Sequence, residues 1–168
     1  MTIPLLLIAG IPAAGKTYFS QWLASEKGYR YLDLDSDSSM RLAKLEVEWL
    51  FCLRTKDASL FVSALRPHSQ PVVLEWGFPL HHISSVQALK QADFSLWWFD
   101  ADHVRAKEAF IDRGIGSLQD FEIQMKTIIT NWTKIESLFT PNIVTTLDAQ
   151  GKRLSVKDIY RRITETTG

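Results

Sequence analysis

The chain has 168 residues, of which 46% are hydrophobic and 23% charged, and it carries 19 Lys plus Arg against 19 Asp plus Glu. This length and composition are typical of one ordinary globular domain and exclude a disordered or fibrous chain. The formal net charge of zero argues against a broad basic surface for nucleic acid and leaves room only for a local patch.

No apolar stretch of the sequence is as long as a membrane span, and the first residues lack the basic segment of a signal peptide. We therefore expect a cytoplasmic protein that does not act at a membrane. The single cysteine, Cys52, cannot form an internal disulfide. It lies in an apolar helical stretch, and we expect it to be a small buried hydrophobic residue.

The first predicted strand, residues 4–9, leads into the sequence G-I-P-A-A-G-K-T at residues 10–17, and a helical pattern begins near Lys16. Glycines at both ends of this turn allow successive N–H groups to point into an anion-binding nest at the helix start. A lysine next to the nest suits the β- and γ-phosphates of a nucleotide, and a threonine hydroxyl suits Mg²⁺. The residues expected to bind the nucleotide are Gly10, Ile11, Pro12, Ala13, Ala14, Gly15, Lys16, Thr17 and Tyr18.

The rest of the chain alternates between short apolar strands and amphipathic helices. Further strands are predicted at residues 29–34, 72–76, 94–99 and 141–147, and helices at 39–54, 57–65, 80–91, 103–113, from 117 through 132, and at 156–163. This alternation predicts one α/β domain over residues 1–168, with a parallel sheet and helices on both faces.

Carboxylates follow two of these strands. Asp33, Asp35 and Asp37 come at the end of the second strand, and Glu75 at the end of the third. Ligands bind at the carboxyl ends of strands in open α/β sheets, so these groups are candidates for the site. A buried charge is unfavourable unless it is paired or linked to a metal, which favours a place near Mg²⁺ for Glu75. A solvated loop of Asp and Ser would look the same around Asp35, and Asp37 is the alternative to it.

With these features, the chain resembles the small P-loop kinases of the nucleoside-monophosphate-kinase fold, a group that includes shikimate kinase, gluconate kinase, chloramphenicol phosphotransferase and the zeta toxins. The resemblance implies a three-layer P-loop NTPase fold with a five-stranded parallel sheet in the order 2-3-1-4-5. It also implies a phosphate loop at residues 10–17, an acceptor-binding helical region at about 38–66 and a lid at about 113–125.

The same resemblance implies roles for individual residues. Asp35 matches the base that faces the acceptor hydroxyl, and Asp33 the carboxylate that holds water on Mg²⁺, so the implied metal-site residues are Thr17, Asp33 and Glu75. Arg113, before Gly114, matches the lid arginine that lies over the phosphates. The sequence departs from the family between residues 114 and 131, where Lys126 is the one cationic residue apart from histidine and no second lid arginine occurs.

The predicted function is transfer of the γ-phosphoryl group of ATP, with Mg²⁺, to a hydroxyl of a small molecule, by Lys16, Asp35 and Arg113. The adenine is expected between the lid base and residues 148–152, and the absence of an Asn/Thr-Lys-x-Asp sequence favours ATP over GTP. Trp49, Trp76 and Phe78 are candidates for an acceptor pocket suited to a flat or apolar compound. The alternatives are a nucleotide-dependent regulatory module without phosphoryl transfer and a kinase of nucleic-acid 5′ ends, which the zero net charge disfavours.

Overall fold

The computed structural model describes residues 4–77, 80–114 and 116–166. Within them, five strands form one parallel sheet in the order β2-β3-β1-β4-β5, which confirms the predicted topology. The strands are β1 (Leu5–Gly10), β2 (Arg30–Asp33), β3 (Val72–Glu75), β4 (Ser95–Asp100) and β5 (Ile143–Thr145).

The helices of the described residues follow the predicted alternation. They are α1 (Lys16–Lys27), α2 (Asp37–Leu42), α3 (Glu46–Thr55), α4 (Ser59–Leu65), α5 (Ile83–Gln91), α6 (His103–Asp112), α7 (Leu118–Thr130), α8 (Trp132–Phe139) and α9 (Val156–Thr166), with short 3₁₀ turns at Arg66–His68 and Leu80–His82. The helix predicted over 39–54 is two helices, because Lys44 between them has a φ of 57°, outside helical geometry. The helix predicted from 117 through 132 ends at Thr130, and α8 begins after Asn131.

The core lies on both faces of the sheet. Every residue of β1 is buried, as expected for a central strand of a parallel sheet. Successive residues of β4 point to opposite faces. On one face the Phe99 ring contacts Phe19 of α1, with ring centroids 5.4 Å apart; on the other the Trp98 ring contacts Phe139 of α8 at 5.3 Å. Cys52 is buried, as predicted from its apolar surroundings.

The sheet register brings the carboxyl ends of three strands to one edge. Ile8 of β1 pairs with Glu75 of β3, and Glu75 pairs with Asp33 of β2. Gly10, where β1 ends, lies so close to β4 that a Cβ atom on it would be 2.2 Å from the carbonyl oxygen of Phe99. Only glycine fits this approach, and the loop after β1 therefore starts directly against the sheet.

Among the described residues, no helix combines the length and the apolar character needed to cross a bilayer.

Candidate active site

The loop between β1 and α1 presents a set of unpartnered backbone donors. Ile11 N–H donates to Phe99 O at 3.0 Å and Ala14 N–H donates weakly to Ile11 O at 3.4 Å. The other N–H groups of the loop and of the first helical turn donate to no other described residue; they belong to Ala13, Gly15, Lys16, Thr17 and Tyr18. Ala13 and Gly15 have φ values of 61° and 86°, which turn successive N–H groups toward one side. The result is an anion nest at the helix start.

Lys16 lies over the same loop. Its Nζ donates to the carbonyl oxygens of Gly10 at 3.1 Å and Ile11 at 2.9 Å. It forms no ion pair with a carboxylate of the described residues. Burial lowers the pKa of the Lys16 ammonium group, while the nearby carboxylates of Glu75 and Asp35 raise it. The ammonium group thus sits between neutral carbonyls and two acidic side chains, where an incoming phosphate could bind it without breaking a salt bridge.

Glu75 is the centre of a short hydrogen-bond chain. The Thr17 hydroxyl donates to its Oε1 at 2.6 Å, and the Tyr31 hydroxyl donates to its Oε2 at 2.6 Å. Glu75 is 7% exposed, and these two bonds satisfy both carboxylate oxygens. Burial raises the pKa of the Tyr31 phenol well above its ordinary value, and the hydrogen bond to Glu75 raises it further. Tyr31 therefore stays a donor to Glu75 throughout the physiological pH range.

The backbone that follows β3 holds Asp35 at the same end of the sheet. The N–H of Gly77 donates to Asp35 Oδ2 at 2.5 Å. Loss of solvent around the carboxyl raises the pKa of Asp35; the Gly77 hydrogen bond and the Lys16 charge lower it, and the Asp33 charge raises it. Asp35 and Lys16 are therefore within electrostatic range of each other.

Asp33 stabilises the turn that carries Asp35. Its Oδ1 accepts a 2.9 Å hydrogen bond from the N–H of Asp35, and its own N–H donates to Ser39 Oγ at 3.0 Å. The side chain of Asp37, the alternative to Asp35, lies outside the described part of the structure. The structure thus gives Asp33 a local turn contact, and its predicted metal role stays a prediction.

The donor set at the loop suits Mg²⁺ by its chemistry. Thr17 and Glu75 offer hard oxygen atoms, and a hydroxyl that donates its proton to Glu75 still has lone pairs for a cation. No three His, Cys, Asp or Glu side chains form a cluster among residues 4–77, 80–114 and 116–166. Mg²⁺ fits such a site because it retains several waters and is commonly shared between one or two protein groups and nucleotide phosphates.

Arg105 of α6 and Arg113, which follows this helix, have different surroundings. Arg113 follows the end of α6 and is exposed, and its charge lowers the pKa of Lys16, so it lies within electrostatic range of the loop. The Arg105 guanidinium donates to Ala149 O at 3.2 Å and forms a 2.9 Å ion pair with Glu108. Arg105 therefore ties α6 to the loop after β5, whereas the Arg113 side chain forms no hydrogen bond or ion pair with the described residues. Ile115, between Gly114 and Gly116, lies outside the described residues.

Thr146, which follows β5, is a site residue that sequence reasoning missed. It is 4% exposed, and its hydroxyl lies 2.7 Å from Ala14 O and 3.0 Å from Asp100 O. Because the hydroxyl has one proton, it donates to one of these two oxygens at a time. The contact holds the phosphate loop to the end of the sheet, and no local pattern in the sequence marks it.

The predicted aromatic pocket is only partly as expected. Trp49 and Trp76 are 5% and 3% exposed and pack edge to face with ring centroids 5.2 Å apart. A cavity of about 130 Å³ opens beside Trp49 and the β2–α2 turn. Its lining residues are Leu34, Ser36, Met40, Glu46, Trp49, Leu50 and Leu53. Trp76 lies behind Trp49 in the core, and Phe78 lies outside the described residues.

A larger cavity of about 440 Å³ lies between α4 and α5 and is lined by residues such as Lys56, Arg66 and Gln91. None of its lining residues belongs to the phosphate loop or the carboxylate edge. The smaller cavity is lined by Leu34 and Ser36, which flank Asp35 in the chain, so of these two cavities it is the one beside the segment that carries Asp35.

No protein-family model matches the sequence, and no curated protein matches it. Solved structures do match its fold. A shikimate kinase from Acinetobacter baumannii in complex with shikimate has a TM-score of 0.59 at 16% identity, over 99% of this chain and 93% of that one. A sugar kinase from Janibacter sp. HTCC2649 has a TM-score of 0.59 at 13% identity, over 99% and 95% of the two chains. For a gluconokinase from Sinorhizobium meliloti 1021 the values are 0.53 and 14%, over 99% and 97%.

The chain has the fold of the small P-loop kinases. The predicted resemblance is thereby confirmed at the level of fold, including the strand order around the phosphate loop. At identities of 13–16%, the likeness says nothing of which substrate this chain uses.

Proposed function

We propose that this protein is an ATP-dependent kinase that transfers the γ-phosphoryl group of ATP to a hydroxyl of a small molecule. The observation that carries the proposal is the nest of open N–H groups at residues 13–18 beside Lys16, with the Asp35 carboxylate at the same sheet edge. A turn without a ligand would account for the glycines, but it would leave five N–H donors of one loop and a lysine without anionic partners.

The reaction follows from these positions. The acceptor oxygen attacks the γ-phosphorus, the bond from that phosphorus to the β,γ-bridging oxygen breaks, and ADP keeps the electron pair. Asp35 accepts the hydroxyl proton, and Lys16 and Arg113 offset negative charge on the transferred group. Phosphoryl transfer needs positioning and charge stabilisation more than covalent help, which agrees with a site that has no nucleophile of its own among these residues.

Thr17 and Glu75 would hold Mg²⁺, Thr17 by direct ligation and Glu75 through its hydrogen bond to Thr17 or through metal-bound water. Asp33 would act in the outer shell. Bound Mg²⁺ would neutralise phosphate charge and orient the nucleotide. Tyr31 would position Glu75, since its hydroxyl occupies the oxygen that Thr17 does not use.

The acceptor would enter the cavity beside Trp49. Leucines, Met40 and Trp49 form most of its wall, and Glu46 is the one charged residue among the described lining residues. A cavity without a cation among its lining residues binds carboxylates poorly, so we expect an acceptor that is uncharged or carries an ammonium group, in contrast to shikimate or gluconate.

An ADP-release assay with ATP and Mg²⁺ tests the proposal against a panel of neutral, cationic and anionic hydroxyl compounds. We expect a saturable acceptor-dependent rate with a neutral or cationic compound. Lys16→Ala should weaken ATP binding by roughly tenfold or more, the value of one charge-assisted contact, while Lys157→Ala on the exposed side of α9 should not. Unchanged ATP affinity in Lys16→Ala would overturn the nucleotide site itself.

The same assay separates the alternatives. ATP binding that depends on Lys16, without a stimulating compound in any class, would favour a nucleotide-dependent regulatory module. That alternative has one observation in its favour, since Arg113 is the lid arginine that the sequence offers. A rate stimulated only by 5′-hydroxyl oligonucleotides would favour a nucleic-acid end kinase, and binding of those oligonucleotides should then weaken with added salt.

A further inference from the structure

The segment after β5 brings an arginine to the phosphate loop. A turn at residues 148–152 is stabilised by Asp148, whose Oδ1 accepts N–H groups of Gln150 at 3.0 Å and Lys152 at 2.8 Å. The chain then returns antiparallel to itself, with a bridge between Leu147 and Arg153. The backbone on either side of Arg153 is hydrogen-bonded, since Asp148 N–H donates to Lys152 O at 3.1 Å and Leu154 N–H donates to Thr146 O at 2.9 Å.

The guanidinium of Arg153 lies over Gly15. A Cβ atom built on Gly15 would be 3.6 Å from Arg153 Nη1, an ordinary van der Waals contact. Gly15 is the residue before Lys16 and one of the residues with an open N–H group. The Arg153 side chain is therefore next to the anion nest.

Among the described residues, Arg153 has no acidic partner. Its side chain forms no hydrogen bond or ion pair with them, and the same is true of the Arg113 side chain. Partial burial lowers the pKa of Arg153, and the positive charge of Arg113 lowers it further, so the two guanidinium groups are within electrostatic range. Arg113 also lowers the pKa of Lys16, so its charge is within electrostatic range of both Lys16 and Arg153.

We propose that Arg153 binds the polyphosphate chain of the nucleotide and, together with Arg113, supplies the second arginine that the lid of this chain lacks. The two guanidinium groups repel each other when no anion lies between them. A polyanion bound between them would attract both groups and offset this repulsion. Arginine suits the task because its donors match phosphate oxygens in pairs. The lid sequence between residues 114 and 131 has no arginine, and the turn after β5 compensates for it from the other side of the site.

The inference rests on the proposed nucleotide site, and the experiment separates it from the kinase assignment. Binding of ATP, adenosine and inorganic tripolyphosphate to the full chain is measured by calorimetry at constant ionic strength, for wild type, Arg153→Gln, Arg153→Lys, Lys16→Ala and Arg162→Gln. Arg162 is exposed on α9 and controls for the loss of one positive charge. The measurement involves no acceptor and no phosphoryl transfer.

Arg153→Gln should lower the affinity for both ATP and tripolyphosphate by about tenfold or more, the range for a lost charge-assisted contact, and leave adenosine binding unchanged. Arg153→Lys should recover part of the loss, and Arg162→Gln should resemble wild type. Lys16→Ala should also weaken the binding of tripolyphosphate, and this result would show that tripolyphosphate occupies the phosphate loop. If these results are obtained but no compound of the acceptor panel receives the phosphoryl group, the kinase assignment fails while the role of Arg153 stands.

Three results would overturn the inference. Unchanged tripolyphosphate binding in Arg153→Gln would exclude a phosphate contact. A loss of adenosine affinity equal to the loss for ATP would assign Arg153 to the base. Tripolyphosphate binding that is absent in wild type, or insensitive to Lys16→Ala, would show that Arg153 and the loop do not form one anion site.

Discussion

Thr17, in the first turn of α1, donates a 2.6 Å hydrogen bond to Oε1 of Glu75 at the end of β3. This bond joins the phosphate loop to the neighbouring strand at the point where Mg²⁺ would bind. It places a buried negative charge behind a hydroxyl, an arrangement in which the hydroxyl can still offer lone pairs to a cation.

Glu75→Gln should reduce the apparent Mg²⁺ affinity of the nucleotide complex by about 10–100-fold, the usual effect of an outer-shell carboxylate. The amide keeps the size of the side chain and can still form hydrogen bonds, but the negative charge is lost. The measurement is a Mg²⁺ titration of ATP binding, with a parallel series in chelator. Tyr31→Phe removes the other bond to Glu75 while keeping the charge, and its effect should be smaller. Equal Mg²⁺ affinity in Glu75→Gln and wild type would place the metal elsewhere.

Asp35→Asn should lower the acceptor-dependent rate by about 10²–10⁴-fold, the contribution of a general base, with ATP affinity nearly unchanged. It should also change the pH dependence of stability. The pKa of Asp35 is raised in the folded state, so the folded chain binds more protons than the unfolded chain between the ordinary pKa and the raised one. Wild-type stability therefore falls through this window as pH rises.

The stability gained by Asp35→Asn should accordingly grow as pH rises above the ordinary aspartate pKa and level off once pH exceeds the raised pKa of Asp35. Urea unfolding at several pH values measures this difference. A gain that shrinks with rising pH would contradict the raised pKa, whatever the rate of the variant.

Gly77→Ala should separate activity from stability. A Cβ atom at this position would lie 2.7 Å from Asp35 Oδ2, and the carboxylate would have to move from the Gly77 N–H. A flexible side chain can move easily, so the free energy of unfolding should change by less than about 1 kcal/mol. The acceptor-dependent rate should fall by roughly tenfold or more, because a base displaced by about 1 Å is no longer aligned.

Gly28→Ala is the matched control. Gly28 has a φ of 70° and open space around it, so an added methyl group meets no neighbouring atom. The substitution should cost about 1 kcal/mol of stability through its left-handed backbone and leave the rate unchanged. Activity loss in Gly28→Ala comparable to that in Gly77→Ala would mean that general destabilisation, rather than Asp35, explains both.

Thr146→Val should loosen the phosphate loop. Valine has the shape of threonine but leaves Ala14 O, 2.7 Å from the Thr146 hydroxyl, without that donor. We expect a loss of about 1–3 kcal/mol in the free energy of unfolding, the penalty for an unpaired buried acceptor, and weaker ATP binding. Urea unfolding and calorimetry measure the two effects. Thr146→Ser keeps the hydroxyl and should retain ATP affinity. If Thr146→Ser and Thr146→Val lose ATP affinity equally, packing rather than the hydroxyl explains the effect.

Much of the fold could be predicted because its signals are local. The strand alternation and the apolar run of β1 identify a parallel sheet, and the family resemblance supplies the strand order that the structure confirms. The division of residues 39–54 into two helices was missed, because the apolar spacing continues through Lys44 even though its backbone leaves helical geometry. Periodicity reports the face of a residue and says little of where a helix is interrupted.

The sequence by itself determined the phosphate loop, because a strand, a glycine turn and a lysine at a helix start are contiguous in the chain and fold together locally. It also marked Asp35 and Glu75 as carboxylates at strand ends. Only the tertiary structure decided which distant groups meet them: Tyr31 on Glu75, Gly77 on Asp35, Thr146 on Ala14 and Arg153 beside Gly15. These contacts depend on strand order, register and the return of the chain after β5, which no short stretch of residues encodes on its own.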